Sequence, residues 1–143
     1  MIIMKIEKVL VPTDGDSDDE LIKLACSLAK VSKAKVYVVY IIEVERNLPL
    51  DTQVDSQTEK AEKILARAED IADEVSYEVE TDLLQARDAG PSIIGEAMER
   101  KVDLIMMSTS YEKPRGVVDI GKAVQHVLKE APCQVLLYRE PIS

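Results

Sequence analysis

Short apolar runs and stretches of helical periodicity alternate along this chain from end to end, and that alternation limits the fold more than any other feature. Lys8-Val9-Leu10-Val11-Pro12-Thr13-Asp14-Gly15-Asp16 shows the pattern best: an apolar run that stops abruptly in turn and acidic residues. Such a run predicts a strand covered on both faces, over Glu7 to Val11, delivering its carboxyl end into a loop. Helix one is predicted from about Ser17 to Ser32, with Leu21, Leu24, Ala25, Leu28 and Ala29 at the helical period. Strand two follows over Lys35 to Ile42, then a polar segment from Glu43 to Asp55 broken by Asn47, Pro49 and Asp51. Helix two opens at Ser56 with Glu59 three residues on, a capping-box pattern, and its stripe is Ala61, Ile64, Leu65, Ala68, Ile71, Ala72 and Val75.

The second half repeats the alternation. Ser76 to Leu84 alternates Tyr77, Val79, Thr81 and Leu83 with Glu78, Glu80 and Asp82, which predicts an edge strand with one wet side. Gly90-Pro91 predicts the start of helix three, with Pro91 at the first helical position and Ile93, Ile94, Ala97 and Met98 buried. Asp103 to Met107 reads as an interior strand, Ser108 to Ile120 as a loop, and helix four carries Ala123, Val124, Val127 and Leu128. Ala131-Pro132 ends that helix, and Cys133 to Tyr138 forms the last strand. Five strands alternating with four helices predict one domain, over residues 1–143, with a doubly wound parallel sheet in the order 3-2-1-4-5. The loops after strands one and four then face each other across one crevice at the carboxyl edge of the sheet, where open α/β sheets bind ligands.

Composition removes several functional classes. A net charge of −9 argues against nucleic acid or an anionic membrane surface as the partner. With no Trp and no Phe, base-stacking platforms are limited to five Tyr. Cys26 and Cys133 read as buried hydrophobes rather than a disulfide. Met1-Ile2-Ile3-Met4 is too short for the apolar region of a signal peptide, and no later run could span a bilayer, so the expected location is cytoplasmic.

Val9-Leu10-Val11-Pro12-Thr13-Asp14-Gly15, Asp103-Leu104-Ile105-Met106-Met107, Ala131-Pro132-Cys133-Gln134-Val135-Leu136 and Gln85-Ala86-Arg87-Asp88-Ala89-Gly90 occur in the order and spacing that resemble the universal stress protein family, over about residues 5 to 139. The resemblance implies a flavodoxin- or Rossmann-like fold of the adenine nucleotide alpha hydrolase type. It also implies a homodimer paired through the last strand, and regulatory or stress-related roles with no shared reaction. Some members bind ATP. By resemblance, Pro12, Thr13 and Asp14 would line the adenine and ribose side, with Ile41 and Met107 as apolar walls.

ATP-binding members carry Gly-x-x-Gly, nine residues, Gly-Ser/Thr after strand four, because glycines let backbone N–H groups approach phosphate oxygens. Here Ser108 and Tyr111 occupy the first two glycine positions, Gly121 keeps the third, and Lys122, followed by Ala123, replaces the hydroxyl residue. Asp119 is placed to cap helix four, filling the helix end that would otherwise bind phosphate. Lys113, Arg115 and Lys122 could hold an anion by charge, or be solvated loop charges beside Glu112. Asp14 could accept from ribose hydroxyls, hold a metal through water, or close an Asx turn. Asp14, Asp16 and Asp18 mimic the start of a calcium loop, but Asp19 and Ala25 stand where its glycine and bidentate glutamate belong. The acidic run then reads as the first turn of helix one.

His126, the one histidine, sits inside helix four and reads as a packing or surface residue rather than a general base. No catalytic motif is present. Two functions stay open: a regulatory dimer with a degenerate crevice acting through another protein, or a binder of an adenine nucleotide, ATP or AMP. The loop Glu43 to Asp55, with Arg46-Asn47-Leu48-Pro49-Leu50-Asp51, resembles domains attached to the cytoplasmic ends of amino-acid transporters, which implies a transporter partner without direct membrane insertion.

Overall fold

A computed structural model describes residues 5–14, 18–112, 117–119 and 121–141. Among them, the elements are β1 (Lys8–Pro12), α1 (Asp19–Ser32), β2 (Lys35–Glu43), α2 (Asp55–Glu74), β3 (Glu80–Ala86), α3 (Ala89–Arg100), β4 (Leu104–Ser108), β5 (Ser110–Glu112), β6 (Val117–Asp119), α4 (Lys122–Glu130) and β7 (Gln134–Tyr138). The main sheet is parallel, in the order β3-β2-β1-β4-β7, which is the predicted 3-2-1-4-5 once the β5–β6 pair is set aside.

The pleat sorts β1 between two cores. Val9 and Val11 turn to one face, where they join Leu21, Ala25, Cys26 and Ala29 of α1 and Leu65, Ala68, Ile71 and Ala72 of α2. Leu10 turns to the other face and joins Val39, Ile105, Met107, Ile93 and Ala97 of α3, and Val124 and Val127 of α4. Burial on both sides is why these strands read as unbroken apolar runs. Cys26 is buried, and both cysteines are free thiols. No helix of the described residues is long and apolar enough to cross a membrane.

Several boundaries differ from the sequence reading, each for a local reason. α2 begins at Asp55 after an extended Val54, and no side chain caps it, so Ser56 and Glu59 do not form a capping box. Its carboxyl end takes up the residues assigned to the start of strand three. Ser76 adopts a φ of 56° and the Tyr77 amide donates to the Ala72 carbonyl at 2.9 Å, a helix-closing turn. Tyr77 and Val79 therefore pack beside the first core before β3 starts at Glu80. β3 does lie at the sheet edge, and it runs on to Ala86. α3 starts at Ala89, which makes Pro91 its third residue, still within the turn whose N–H groups have no intrahelical acceptor.

Met98 and Leu128, expected inside, are 62% and 49% exposed. Ile93 and Ala97, four apart, centre the buried stripe of α3, and a residue one position beyond Ala97 turns about 100° away from it. The segment after β4 is not a plain loop. Ser110, Tyr111 and Glu112 pair antiparallel with Asp119, Val118 and Val117. Asp119 ends β6, and the N-cap position of α4 expected for it belongs to Gly121, whose φ of 79° favours glycine.

His126 packs where a side chain at Gly90 would go. A Cβ built on Gly90 meets His126 Cβ at 2.8 Å and Cγ at 2.9 Å, whereas one on Gly95 meets nothing within 4 Å. We expect Gly90→Ala to lower unfolding free energy by about 1–3 kcal/mol through overpacking. Gly95→Ala should raise it by about 0.5–1 kcal/mol. Urea denaturation of the two variants checks both signs.

Candidate functional site

The two central strands part at their carboxyl ends. β1 pairs with β2 as far as Pro12 and Val39, but its ladder with β4 comprises Val9–Leu104 and Leu10–Ile105. β4 meanwhile continues along β7 to Ser108 and Tyr138. The divergence opens the crevice expected from topology, with Pro12, Thr13 and Asp14 on one side and Met107 and Ser108 on the other.

One carboxylate bridges that gap. Asp18 is 3% exposed. The Thr13 hydroxyl donates to its Oδ2 at 2.6 Å, and the Ser108 hydroxyl donates to its Oδ1 at 2.6 Å. The Asp14 backbone amide donates to the same carboxylate. Thr13 is anchored in turn, because its amide donates to the Val39 carbonyl at 2.9 Å. Through Thr13, Asp18 and Ser108 the ends of β1 and β4 are joined to each other and to the middle of β2. Asp18 occupies the position before α1, and its carbonyl accepts from the Ile22 amide at 2.9 Å, yet its side chain makes no cap bond to its own helix.

Burial pushes the Asp18 carboxyl above its ordinary value. The two hydroxyls and the Asp14 amide pull it back down, and the Asp14 charge adds to the rise. This role was missed because an aspartate before a helix satisfies a local explanation. The acidic first turn of α1 is instead supplied by Asp19 and Glu20. Asp16, with the rest of residues 15–17, lies outside the described residues, and so do Lys113 and Arg115.

The remaining site residues separate by face. Ile41, Met107 and Ala123 all pack against the second core, and Pro12 falls on the same side as Leu10 by the two-residue period. Thr13 and Ser108 fall on the opposite side with Val11 and Met106, turned to Asp18. Asp14 is exposed at the rim. Gly121 precedes α4, with Lys122 exposed and Ala123 half-buried in its first turn. No group of three or more metal-ligating side chains occurs among the described residues.

The Gln85-Ala86-Arg87 segment has a structural task the sequence did not disclose. Arg87 donates to the carbonyls of Glu45 at 2.6 Å and Leu48 at 2.7 Å, and Gln85 donates to those of Thr52 at 2.7 Å and Leu50 at 3.2 Å. These bonds hold the chain after β2 down beside the crevice, where Leu48 packs with Ile42, Val44 and Ala61. Two long donors at the end of an edge strand, opposite a loop rich in unpaired carbonyls, were the available signal.

The pH dependence of stability follows from Asp18. Its native carboxyl holds a proton to higher pH than the unfolded chain does, so its contribution falls as pH rises from the ordinary value of 3.8 and levels off above the raised one. Asp18→Asn removes that titration. We expect the stability of the variant relative to the natural chain to increase between pH 4 and pH 7, measured by urea denaturation.

Comparison with known proteins agrees with this architecture. The sequence model of the universal stress protein family matches residues 5–139. A universal stress protein of Methanocaldococcus jannaschii is 28% identical over 142 residues, covering 94% of this chain and 83% of that one. The structure of a universal stress protein from Archaeoglobus fulgidus in complex with dAMP superposes with a TM-score of 0.74 at 21% identity, over 94% of this chain and 98% of that one. A universal stress protein in complex with cAMP gives a TM-score of 0.73 at 20% identity, over 95% and 98%. The match along nearly the whole chain, on the same five-stranded sheet, makes this chain a member of the universal stress protein family.

Proposed function

We propose that this chain is a cytoplasmic, non-enzymatic regulatory protein of the stress response, working as a homodimer through contact with another protein, with a crevice that no longer cradles a triphosphate. The observation carrying this reading is the β5–β6 pair. A phosphate cradle needs consecutive backbone N–H groups turned toward one anion, on residues free to take glycine conformations. Here Ser110 and Tyr111 are extended and pair with Asp119 and Val118. The side chains at the ends of β1 and β4 do not supply what the backbone lacks, since the Thr13 and Ser108 hydroxyls are given to Asp18. His126, packed on Gly90, is in a structural position.

β7 supports the dimer. It pairs with β4 on one side and ends the sheet on the other. Val135, Leu136, Leu137 and Tyr138 along it are half-buried in the single chain. An apolar edge of this kind is covered when a second copy pairs with it across a two-fold axis. The resemblance of residues 46–51 to transporter-attached domains makes an amino-acid transporter the first partner to test.

A second reading, an adenine nucleotide with a single phosphate, is favoured by one observation. Ile41, Met107 and Ala123 share one face with Pro12, an apolar wall suited to a purine, and the residue before α4 beside it is Gly121, which has no side chain. The relatives solved with dAMP and cAMP point the same way.

Mass spectrometry of small molecules released from freshly purified, denatured protein tests the two. The first reading expects no adenine nucleotide and no thermal shift from ATP plus magnesium. AMP at near-stoichiometric yield would select the second. Light scattering at micromolar concentration should give about twice the 15.9 kDa chain mass.

A further inference from the structure

The loss of glycines leaves a phosphate without a cradle, but Asp18 goes further, because it places a negative group where the cradle would begin. Ser108 is the first residue of that segment, and its hydroxyl lies 2.6 Å from the Asp18 carboxylate. Three donors, from Thr13, Ser108 and the Asp14 amide, converge on two oxygens and offset part of the cost of burying the charge. A carboxylate held in a site shielded from water repels a second anion far more than one in bulk solvent would. The neighbouring charges among the described residues do not reverse this. Asp14 at the rim adds to it, Asp19 is paired with Arg67 at 3.1 Å, and Glu20 lies 3.6 Å from Lys23. Among the described residues, Lys122 is an exposed cation at the start of α4.

We propose that Asp18 is a specificity-determining residue that turns the crevice against phosphate, so that it admits an uncharged adenine nucleoside in preference to the corresponding nucleotide. The idea rests on the degenerate-crevice reading above and supplies its electrostatic cause. The Ile41–Met107–Ala123 wall belongs to the other face of the sheet from the Asp18 side chain, so an apolar base is received without meeting the carboxylate. A group bearing charge near the end of β4 does meet its field.

The test compares dissociation constants for adenosine, AMP and ATP–magnesium, by calorimetry, in the natural chain and in Asp18→Asn. Asn keeps the shape and one carbonyl acceptor for the loop hydroxyls but carries no charge. We expect the natural chain to bind adenosine more tightly than AMP or ATP, and the ratio of nucleotide to adenosine affinity to rise at least tenfold in the variant. A simple loss of structure would weaken all three ligands together and leave the ratio where it was. An unchanged ratio, or no nucleotide binding by either protein, overturns the role given to Asp18 while the degenerate-crevice reading stands. ATP bound by the natural chain as tightly as adenosine overturns both. If Asp18→Asn does not fold, Asp18→Ser is measured against the same criterion.

Discussion

Two-sided burial of the central strand is the constraint on which this molecule depends. Val9, Leu10 and Val11 are fully enclosed, the odd pair by α1 and α2 and Leu10 by α3 and α4. A strand in that position has no face on which to carry a polar group, since an unpaired buried polar atom costs more than its removal. Polar chemistry is therefore displaced to the carboxyl end, where the chain leaves the sheet at Pro12, Thr13 and Asp14. The parting of β1 from β4 just below that level turns the displaced residues into the rim of a crevice.

Asp18 is where the same rule is met inside the structure. A carboxylate that is 3% exposed is tolerable because both oxygens are satisfied, by Thr13 and Ser108, at short distances. The bond set ties the ends of β1 and β4 together and to the middle of β2, so the crevice is braced there by charge-assisted hydrogen bonds rather than by apolar packing. The chain after β2 is held in a similar way, with Arg87 and Gln85 serving carbonyls that have no strand or helix to pair with. Polar side chains thus shape the site at two places, while Ile41 and Met107 form an apolar wall on the sheet face opposite Asp18.

Much of this was legible in advance. The helical stripe of α2 and the apolar runs at Val9–Val11 and Leu104–Met107 identified the elements, because burial imposes a period that survives in the sequence. The family motifs include the residues at which β1 and β4 part, Pro12 to Asp14 and Met107. Boundaries were less legible. Ser76 to Val79 alternates like a strand, yet it closes α2 and packs Tyr77 beside the core, since a helix end competes for the same residues. Asp119 looked like a cap and is part of a ladder with Ser110, a pairing that depends on residues nine apart rather than on the local pattern.

By itself the sequence determined the alternation of elements, the doubly wound sheet and the family, because each follows from local periodicity or from residues in fixed order. Only the tertiary structure decided what Asp18, Gln85, Arg87 and Gly90 do. Asp18 meets a residue 90 positions away, Arg87 meets carbonyls about 40 positions back, and Gly90 is small for the ring of His126. Hydrogen bonds and close packing act over a few ångströms, and no pattern along the chain records which distant residues the fold brings within that range.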